Sequence, residues 1–150
     1  MFSRAASRFS TLVVRSQQQQ HMNMLRSLSS SSGKIQRIGT DNPNMSAVVV
    51  HNGIVYTSGQ VDTVGTDIVE QTQNVLSTID SLLEQAGTDK SQLLTANIWL
   101  KNIDTDFGAM NQVWADWLDS DQKPVRATVE APMASPSILV EVQVTAAAAK

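Results

Sequence analysis

The chain of 150 residues is long enough for one domain with a hydrophobic core. It has no cysteine, which excludes disulfides and thiol catalysis, and its two histidines are too few ligands for a zinc centre. The net charge of −3 conceals two unlike parts, because residues 1–33 hold four arginines and no acid whereas residues 34–150 hold all 14 acids. The acidic part lacks the basic surface of a nucleic-acid binder, and no apolar stretch of the sequence is long enough to span a membrane.

Residues 1–33 have the composition of a targeting segment. They combine arginine, serine and scattered apolar residues without any acid, a pattern typical of an organelle transit peptide. The segments "QQQQHMNM" and "SLSSSSGK" suit a disordered tail, which is the alternative. We therefore predict a transit peptide or disordered head over residues 1–33 and a single domain over residues 34–150. The mitochondrial matrix is the first predicted location, with a plastid or the cytoplasm as alternatives.

The first predicted elements are a hairpin and a long helix. In "SAVVVHNGIVYTSGQ", two β-branched runs flank Asn52-Gly53, a pair that favours a two-residue type I′ turn, which predicts strands near residues 46–51 and 54–58. In "TDIVEQTQNVLSTIDSLLEQAG", apolar residues recur at steps of three and four, as in an amphipathic helix. Asp67 and Glu70 are spaced for a capping box, with Thr66 as an alternative cap, and Gly87 stands where a helix-ending glycine belongs.

Three strands and a second helix complete the predicted order. "SQLLTANIWLKN" alternates, with a predicted dry side made of Leu94, Ala96, Ile98 and Leu100. "DTDFGAMNQVWADWLDS" predicts a helix in which Phe107, Met110, Trp114 and Trp117 recur at helical spacing, and Trp114 and Trp117 are predicted as core residues rather than as groups that stack on a ligand. "VRATVEA" and "SILVEVQVTA" alternate again as strands. The order β-β-α-β-α-β-β indicates an α+β fold with two helices on one face of a mostly antiparallel or mixed sheet.

The other face of this sheet is predicted to be uncovered by helices. The alternation assigns to it Asn97, Trp99, Arg126, Thr128, Glu130, Leu139, Glu141 and Gln143. A tryptophan and a leucine among polar residues make a poor solvated surface. We therefore predict that this face is buried in an oligomer, with Arg126 and Glu141 in the clefts between subunits.

Arg126 is the strongest candidate for chemistry, because no other arginine follows Arg37. A guanidinium matches a carboxylate with two parallel hydrogen bonds, so Arg126 is predicted to bind a carboxylate. Glu141, on the same predicted face, can hold or activate a water. The alternative is an ordinary cross-strand ion pair of Arg126 with Glu141 or Glu130.

Weaker candidates lie near the hairpin. His51 is predicted as a surface residue rather than a catalyst. Gly59, in "SGQ", either presents backbone N–H groups to an anion or simply ends a strand.

Four blocks of the sequence resemble one known family. "GIVYTSGQ", "FGAMNQVW", "KPVRATVEA" and "ILVEVQVTA" follow one another within residues 35–149 as in the reactive intermediate deaminase (Rid, or YjgF) family, in one of its divergent branches. The resemblance implies a chorismate-mutase-like fold assembled as a homotrimer with three clefts between subunits. It also implies hydrolysis of reactive enamines and imines, such as 2-aminoacrylate, to 2-oxo acids and ammonia, which protects pyridoxal-phosphate enzymes. No cofactor is implied.

The resemblance also assigns site residues. Arg126 matches the arginine that binds the substrate carboxylate, and Glu141 matches the glutamate that positions the attacking water. Gly59 and Thr128 fall where backbone groups contact the ligand, and Asn111 matches a cleft asparagine. One position departs from the pattern, because Met45 stands where the best-known branch has a tyrosine, which puts the substrate range in question.

Two other functions remain open from the sequence. A non-enzymatic trimer that binds small carboxylates, as a sensor or regulator, would use the same Arg126 cleft. Ribonuclease activity or translation inhibition is disfavoured, because residues 34–150 are acidic and contain a single histidine.

Overall fold

The computed structural model describes residues 33–148, so residues 1–32 of the predicted targeting segment lie outside the described residues. Two helices and seven strands make up this part of the chain, with a short 3-10 helix at Lys90–Gln92. The helices are α1 (Ile68–Gln85) and α2 (Ile103–Trp117). The strands are β1 (Gln36–Ile38), β2 (Val48–His51), β3 (Ile54–Thr57), β4 (Gln60–Val61), β5 (Leu93–Leu100), β6 (Val125–Glu130) and β7 (Val140–Ala147).

The order of elements confirms the predicted α+β class and adds two strands. β1 and β4, of three and two residues, are too short to show the alternation from which strands are predicted. None of the helices among the described residues is long and apolar enough to cross a membrane.

The seven strands form one mixed sheet. Its order is β1-β2-β3-β7-β5-β6, and β4 pairs with β7 beside this path. β5 and β6 run parallel, with α2 as the connection between them, while the other pairings are antiparallel. β6 is therefore an edge strand, and the chain reaches it from β5 through α2.

Both helices pack on the same face of this sheet. Apolar side chains from the middle strands and from the helices form one buried cluster, which includes Val55, Val75, Ile79, Leu83, Ala96, Ile98, Leu100, Met110, Trp114, Val140, Val142 and Val144. The prediction of two helices on one face is confirmed. We call the opposite face the open face.

The hairpin turn and the ends of α1 have the predicted geometry, with one difference. Asn52 and Gly53 both have positive φ, as a type I′ turn requires, and Gly87 has a φ of 74° after the end of α1. Asp67 Oδ1 accepts the N–H of Glu70 at 2.9 Å. Glu70 Oε2 returns to the N–H of Thr66 rather than to that of Asp67, one residue earlier than in a capping box.

The strand registers correct the predicted assignment of faces. Ala96 lies beside Arg126 on one strand and Val144 on the other, and Ala96 is buried beneath the helices. Residues directly opposite in neighbouring strands point to the same side, so Arg126 points to the helix side. Thr128 and Glu130 follow it there by alternation. The prediction that these three residues lie on the uncovered face is wrong.

The open face holds Asn97, Trp99, Glu141 and Gln143, as predicted, but Val125, Ala127 and Val129 lie there in place of Arg126, Thr128 and Glu130. Glu141 lies opposite Trp99, which lies opposite Val129. The residues with this orientation in the last strands of the sheet are Thr95, Asn97, Trp99, Val125, Ala127, Val129, Glu141, Gln143 and Thr145. Arg126 and Glu141 therefore lie on opposite faces of one sheet.

The start of β5 corrects the predicted core in one further place. Leu94 is 43% exposed, whereas Leu93 is buried. The pairing of β5 with β7 shifts between Leu93 and Thr95. An extra residue at such an irregularity breaks the alternation of side chains, so Leu93 replaces Leu94 in the core.

The buried side chain of Gln71 stabilises the fold through hydrogen bonds to backbone groups. It is only 1% exposed, and its amide joins α1 to two loops. Nε2 donates to the carbonyl oxygens of Gly65 (3.0 Å) and Ser137 (2.8 Å), and Oε1 accepts the N–H of Leu139 at 2.8 Å.

We expect Gln71→Met to lower the free energy of unfolding by about 3 kcal/mol, because buried backbone groups lose their partners. Urea unfolding measures this change. Gln73→Met, an exposed change on the same helix, is the control and should cost less than about 0.5 kcal/mol. Equal costs for the two variants would contradict this role of Gln71.

Candidate functional site

Arg126 is held against α2 by two contacts. Its Nη2 donates to Asn111 Oδ1 at 2.8 Å. Its guanidinium carbon lies 5.5 Å from the centre of the Trp114 ring, within the range of a cation–π interaction. Asn111 and Trp114 are one helical turn apart, so the same face of α2 presents both to β6.

The guanidinium is partly desolvated and keeps its charge. Burial lowers the pKa of Arg126 from its ordinary value, and no carboxylate among residues 33–148 contributes to this shift. A guanidinium stays protonated in proteins, and it has five N–H donors, of which Asn111 accepts one. Arg126 therefore retains donors that can bind an anion.

The two ion pairs offered as alternatives for Arg126 are not formed. Glu141 lies on the open face, on the other side of the sheet. Glu130 Oε2 instead accepts the N–H of Ile103 at 2.9 Å, at the first residue of α2. A carboxylate there satisfies a free N–H group and favours the positive end of the helix dipole.

A cavity of about 400 Å³ opens beside Arg126. We call it the arginine cavity, and its lining residues are Asn111, Trp114, Ala115, Leu118, Ser120, Lys123, Pro124 and Arg126. Its volume lies within the range of small-molecule sites in proteins. Apolar walls with a few polar groups are also typical of such sites.

Glu141 and Gly59 form a second group of candidates, on the open face. Glu141 is half-buried in β7, and Gly59 lies just before β4. A Cβ placed on Gly59 would overlap the Glu141 carboxylate and come within 2.8 Å of its Cδ. The absence of a side chain at Gly59 thus makes room for the carboxylate.

The structure brings the predicted site residues together as two groups. Arg126, Asn111 and Thr128 lie on the helix side, and Glu141 and Gly59 lie together at the open face. Thr128 Oγ1 is buried and has no hydrogen-bond partner among the described residues. Met45, 54% exposed, lies in the loop between β1 and β2.

The remaining candidates behave as structural residues or stay open. Trp114 is buried as predicted, and Trp117 Nε1 donates to Asp80 Oδ2 at 2.9 Å. His51 is half-buried rather than a surface residue, and its Nδ1 has no partner among the described residues. Within residues 33–148 no group of three or more histidine, aspartate or glutamate side chains is placed to hold a metal ion.

The patterns in the sequence do not assign Lys123, Leu118 or the ring of Trp114 to the site. Trp114 was predicted only as a core residue, although its ring also supports the guanidinium. The spacing of three between Asn111 and Trp114 is the available signal, because it places both on one helix face. Nothing in the sequence says that this face turns toward Arg126.

The contact between Gly59 and Glu141 yields a test of the open-face group. We expect Gly59→Ala to lower the free energy of unfolding by about 1–3 kcal/mol, since the added methyl group must displace the carboxylate. In a Glu141→Ala background the same change should cost far less. Thermal unfolding of the four combinations measures this coupling.

Gly108→Ala is the matched control, because a Cβ at Gly108 meets no atom within 4 Å. Gly108 lies inside α2, where alanine is favoured by about 0.5–1 kcal/mol. If Gly59→Ala cost the same with and without the Glu141 carboxylate, the packing described here would be wrong.

Comparison with known proteins places the chain in a family. The family model described as Endoribonuclease L-PSP matches residues 35–148. A RutC family protein of Haemophilus ducreyi is 43% identical over 114 residues, covering 75% of this chain and 96% of its own length. The crystal structure of NMB1025, a YjgF family member from Neisseria meningitidis, superposes with a TM-score of 0.77 at 38% identity, covering 79% of this chain and 98% of that one.

A mitochondrial relative is also found. The protein mmf1 of Schizosaccharomyces pombe, described as mitochondrial, is 30% identical over 100 residues, covering 61% of this chain and 60% of its own. The match to the family model and the similarity to the RutC family protein both span the described fold. The chain belongs to the Endoribonuclease L-PSP family, which is the YjgF or reactive intermediate deaminase family that the four sequence blocks resemble.

Proposed function

We propose that the protein is a hydrolytic deaminase of reactive 2-imino and enamino acids such as 2-aminoacrylate. The observation that carries the proposal is the partly buried guanidinium of Arg126, which faces a cavity with donors to spare and without a carboxylate partner in the described part of the chain. A small substrate with a carboxylate supplies the missing partner. Membership of the deaminase family supports this choice of reaction.

The reaction needs positioning and a water, which fits the residues present. Arg126 binds the substrate carboxylate and fixes its orientation, so that the attack on the imine carbon takes place within a positioned complex. Glu141 holds the attacking water and takes its proton, and the nitrogen receives a proton as ammonia leaves. Imine and water are thereby converted to a 2-oxo acid and ammonia. An enamine first tautomerises to the imine.

The two groups of site residues require a second copy of the chain in this proposal. Arg126 faces the helix side at the edge strand β6, and Glu141 faces the open face. Residues on opposite faces of one sheet cannot contact one ligand. A neighbouring copy that lays its open face beside the first copy's arginine cavity brings them together, and three such contacts close a homotrimer.

The open face supports this assembly. Val125 and Val129 are exposed large apolar side chains there, and Trp99 is half-buried beside Glu141. An exposed apolar patch on a sheet face is typical of a surface that binds another protein. The proposed homotrimer covers this patch with neighbouring copies of the chain.

In the cell, the proposed reaction removes intermediates that escape from pyridoxal-phosphate enzymes and damage them. We place it in the mitochondrial matrix, because residues 1–33 have the composition of a transit peptide and a relative is described as mitochondrial. A plastid or cytoplasmic location is the alternative. Ribonuclease activity is disfavoured by the excess of acidic residues after residue 34.

A binding protein for small carboxylates is the second candidate, and the same Arg126 cavity supports it. Substitution of Glu141 separates the two. In a deaminase, Glu141→Gln abolishes turnover while 2-oxobutanoate still binds to Arg126. In a binding protein, the wild type already shows no turnover, and Glu141→Gln leaves the affinity unchanged.

Arg126→Lys tests the role of the guanidinium. We expect kcat/KM to fall about 10- to 100-fold, because an ammonium cannot reproduce two parallel hydrogen bonds to a carboxylate. 2-Aminoacrylate is generated from serine by a dehydratase, and the release of pyruvate is followed. Arg37→Lys, the same change on β1, is the control and should leave the rate unchanged. Near-normal kinetics of the Arg126 variant would contradict carboxylate binding by this residue.

Val129→Lys tests the assembly. Val129 is 49% exposed on the open face in the isolated chain, so a charge there opposes burial between copies. We expect the wild type to have the mass of a trimer by light scattering and the variant to have a lower mass. Val64→Lys, at a loop position that is 82% exposed, is the control and should remain trimeric. A wild-type mass that is monomeric at every concentration would contradict the proposed assembly.

A further inference from the structure

The arginine cavity contains two cations and no acid. Among residues 33–148, Lys123 and Arg126 are the only charged residues that line it. This composition is notable in a chain whose residues 34–150 hold 14 acids against half that number of bases. The cavity therefore concentrates positive charge where the surrounding domain is negative.

Lys123 differs from Lys90 and Lys101, the two other lysines between β1 and β7. Lys90 Nζ donates to the carbonyl oxygen of Trp117 at 2.7 Å, and Lys101 Nζ donates to that of Pro136 at 2.6 Å. No hydrogen bond joins Lys123 Nζ to another of the described residues, and Lys123 is exposed in the loop before β6. Its ammonium group is available to a ligand.

The chain between the two cations is restrained. Pro124 fixes its own φ and restricts Lys123 to extended conformations, and Arg126 already belongs to β6. The apolar side chains of Trp114, Leu118 and Pro124 also line the cavity. They provide a surface for a short carbon chain that carries an anionic group at each end.

We propose that Lys123 and Arg126 bind the two carboxylates of a dianionic ligand, so that the preferred substrates are 2-imino or enamino acids with an acidic side chain. The identification of these ligands as substrates rests on the proposed function, whereas the binding of a dianion by the two cations does not. Arg126 takes the carboxylate next to the imine carbon, and Lys123 takes the carboxylate of the side chain. The cavity, at about 400 Å³, is larger than a three-carbon substrate needs.

Binding of product analogues tests the site without turnover. We compare 2-oxoglutarate with its side-chain methyl ester, which has the same carbon chain but one charge fewer, by calorimetry with the full chain. The wild type should bind the dianion about two- to fivefold more tightly, the effect of one favourable charge contact. Lys123→Gln should reduce this preference to about one and leave the affinity for the ester unchanged.

Lys101→Gln is the matched control. It removes the same charge beyond the end of β5, and β5 runs parallel to β6, whose start follows Lys123. Lys101 thus lies at the opposite end of these strands. The control variant should keep the wild-type preference. Equal affinities of the wild type for both ligands, no binding of either, or a preference that survives Lys123→Gln would each overturn the two-cation site.

A kinetic measurement separates this inference from the proposed function. Imines are generated by amino-acid oxidases from glutamate and from 2-aminobutanoate, and their hydrolysis is compared. Faster hydrolysis of the dianionic imine, lost in Lys123→Gln, is expected. If the protein hydrolyses both imines equally, the deaminase stands and the preference for dianions falls. If it hydrolyses neither but still binds 2-oxoglutarate preferentially, the two-cation site stands and the deaminase falls.

Discussion

The register of the last three strands determines what this molecule can do alone. Because Ala96 lies between Arg126 and Val144, the guanidinium turns toward the helices, and because Trp99 lies between Val129 and Glu141, the carboxylate turns away from them. A shift of one residue in either pairing would reverse one of these directions. The separation of the two charged groups is therefore as firmly determined as the core itself, since the same registers bury Ile98 and Val142.

This separation gives Arg126 an environment that a solvated arginine lacks. The side chain is partly desolvated, lies against Trp114, donates to Asn111 and lines the arginine cavity. Partial burial strengthens the interaction of the guanidinium with an anion, since the screening by water is reduced. Asn111 orients the guanidinium without neutralising its charge. A carboxylate in the same place would neutralise it. This environment supports the proposed role of Arg126 in orienting a substrate carboxylate.

Local signals in the sequence predicted the elements well, because those elements depend on neighbouring residues. The Asn52-Gly53 turn, the cap at Asp67 and the periodicity of α1 each act within a few positions. The direction of a side chain on β6, in contrast, does not depend on neighbouring residues in the sequence. In "VRATVE" apolar residues alternate with polar ones, but the apolar half is the exposed half in this edge strand. The alternation therefore assigns the wrong half to the helix side, and only the parallel pairing with β5 decides the direction.

The same limit explains which parts of the site could be predicted. Arg126 stands out in the sequence because it is isolated from other arginines, and Glu141 and Gly59 are also candidates from the residues alone. The family resemblance adds Asn111 and Thr128. The bond between Arg126 and Asn111, the support from Trp114 and the presence of Lys123 in the same cavity all depend on how α2 lies on the sheet. The irregularity that exchanges Leu94 for Leu93 in the core is likewise a property of the pairing with β7.

We propose that a working site takes Arg126 from one copy and Glu141 from another. It is tested most directly by mixing two inactive variants, Arg126→Ala and Glu141→Gln, unfolding them together, refolding them and measuring the hydrolysis of 2-aminoacrylate. In randomly mixed homotrimers about one quarter of the sites would contain both intact residues, so about one quarter of the wild-type activity is expected. Each variant refolded alone should remain inactive. If the mixture forms trimers but is as inactive as its components, Arg126 and Glu141 do not meet between copies, and the proposed shared site is wrong.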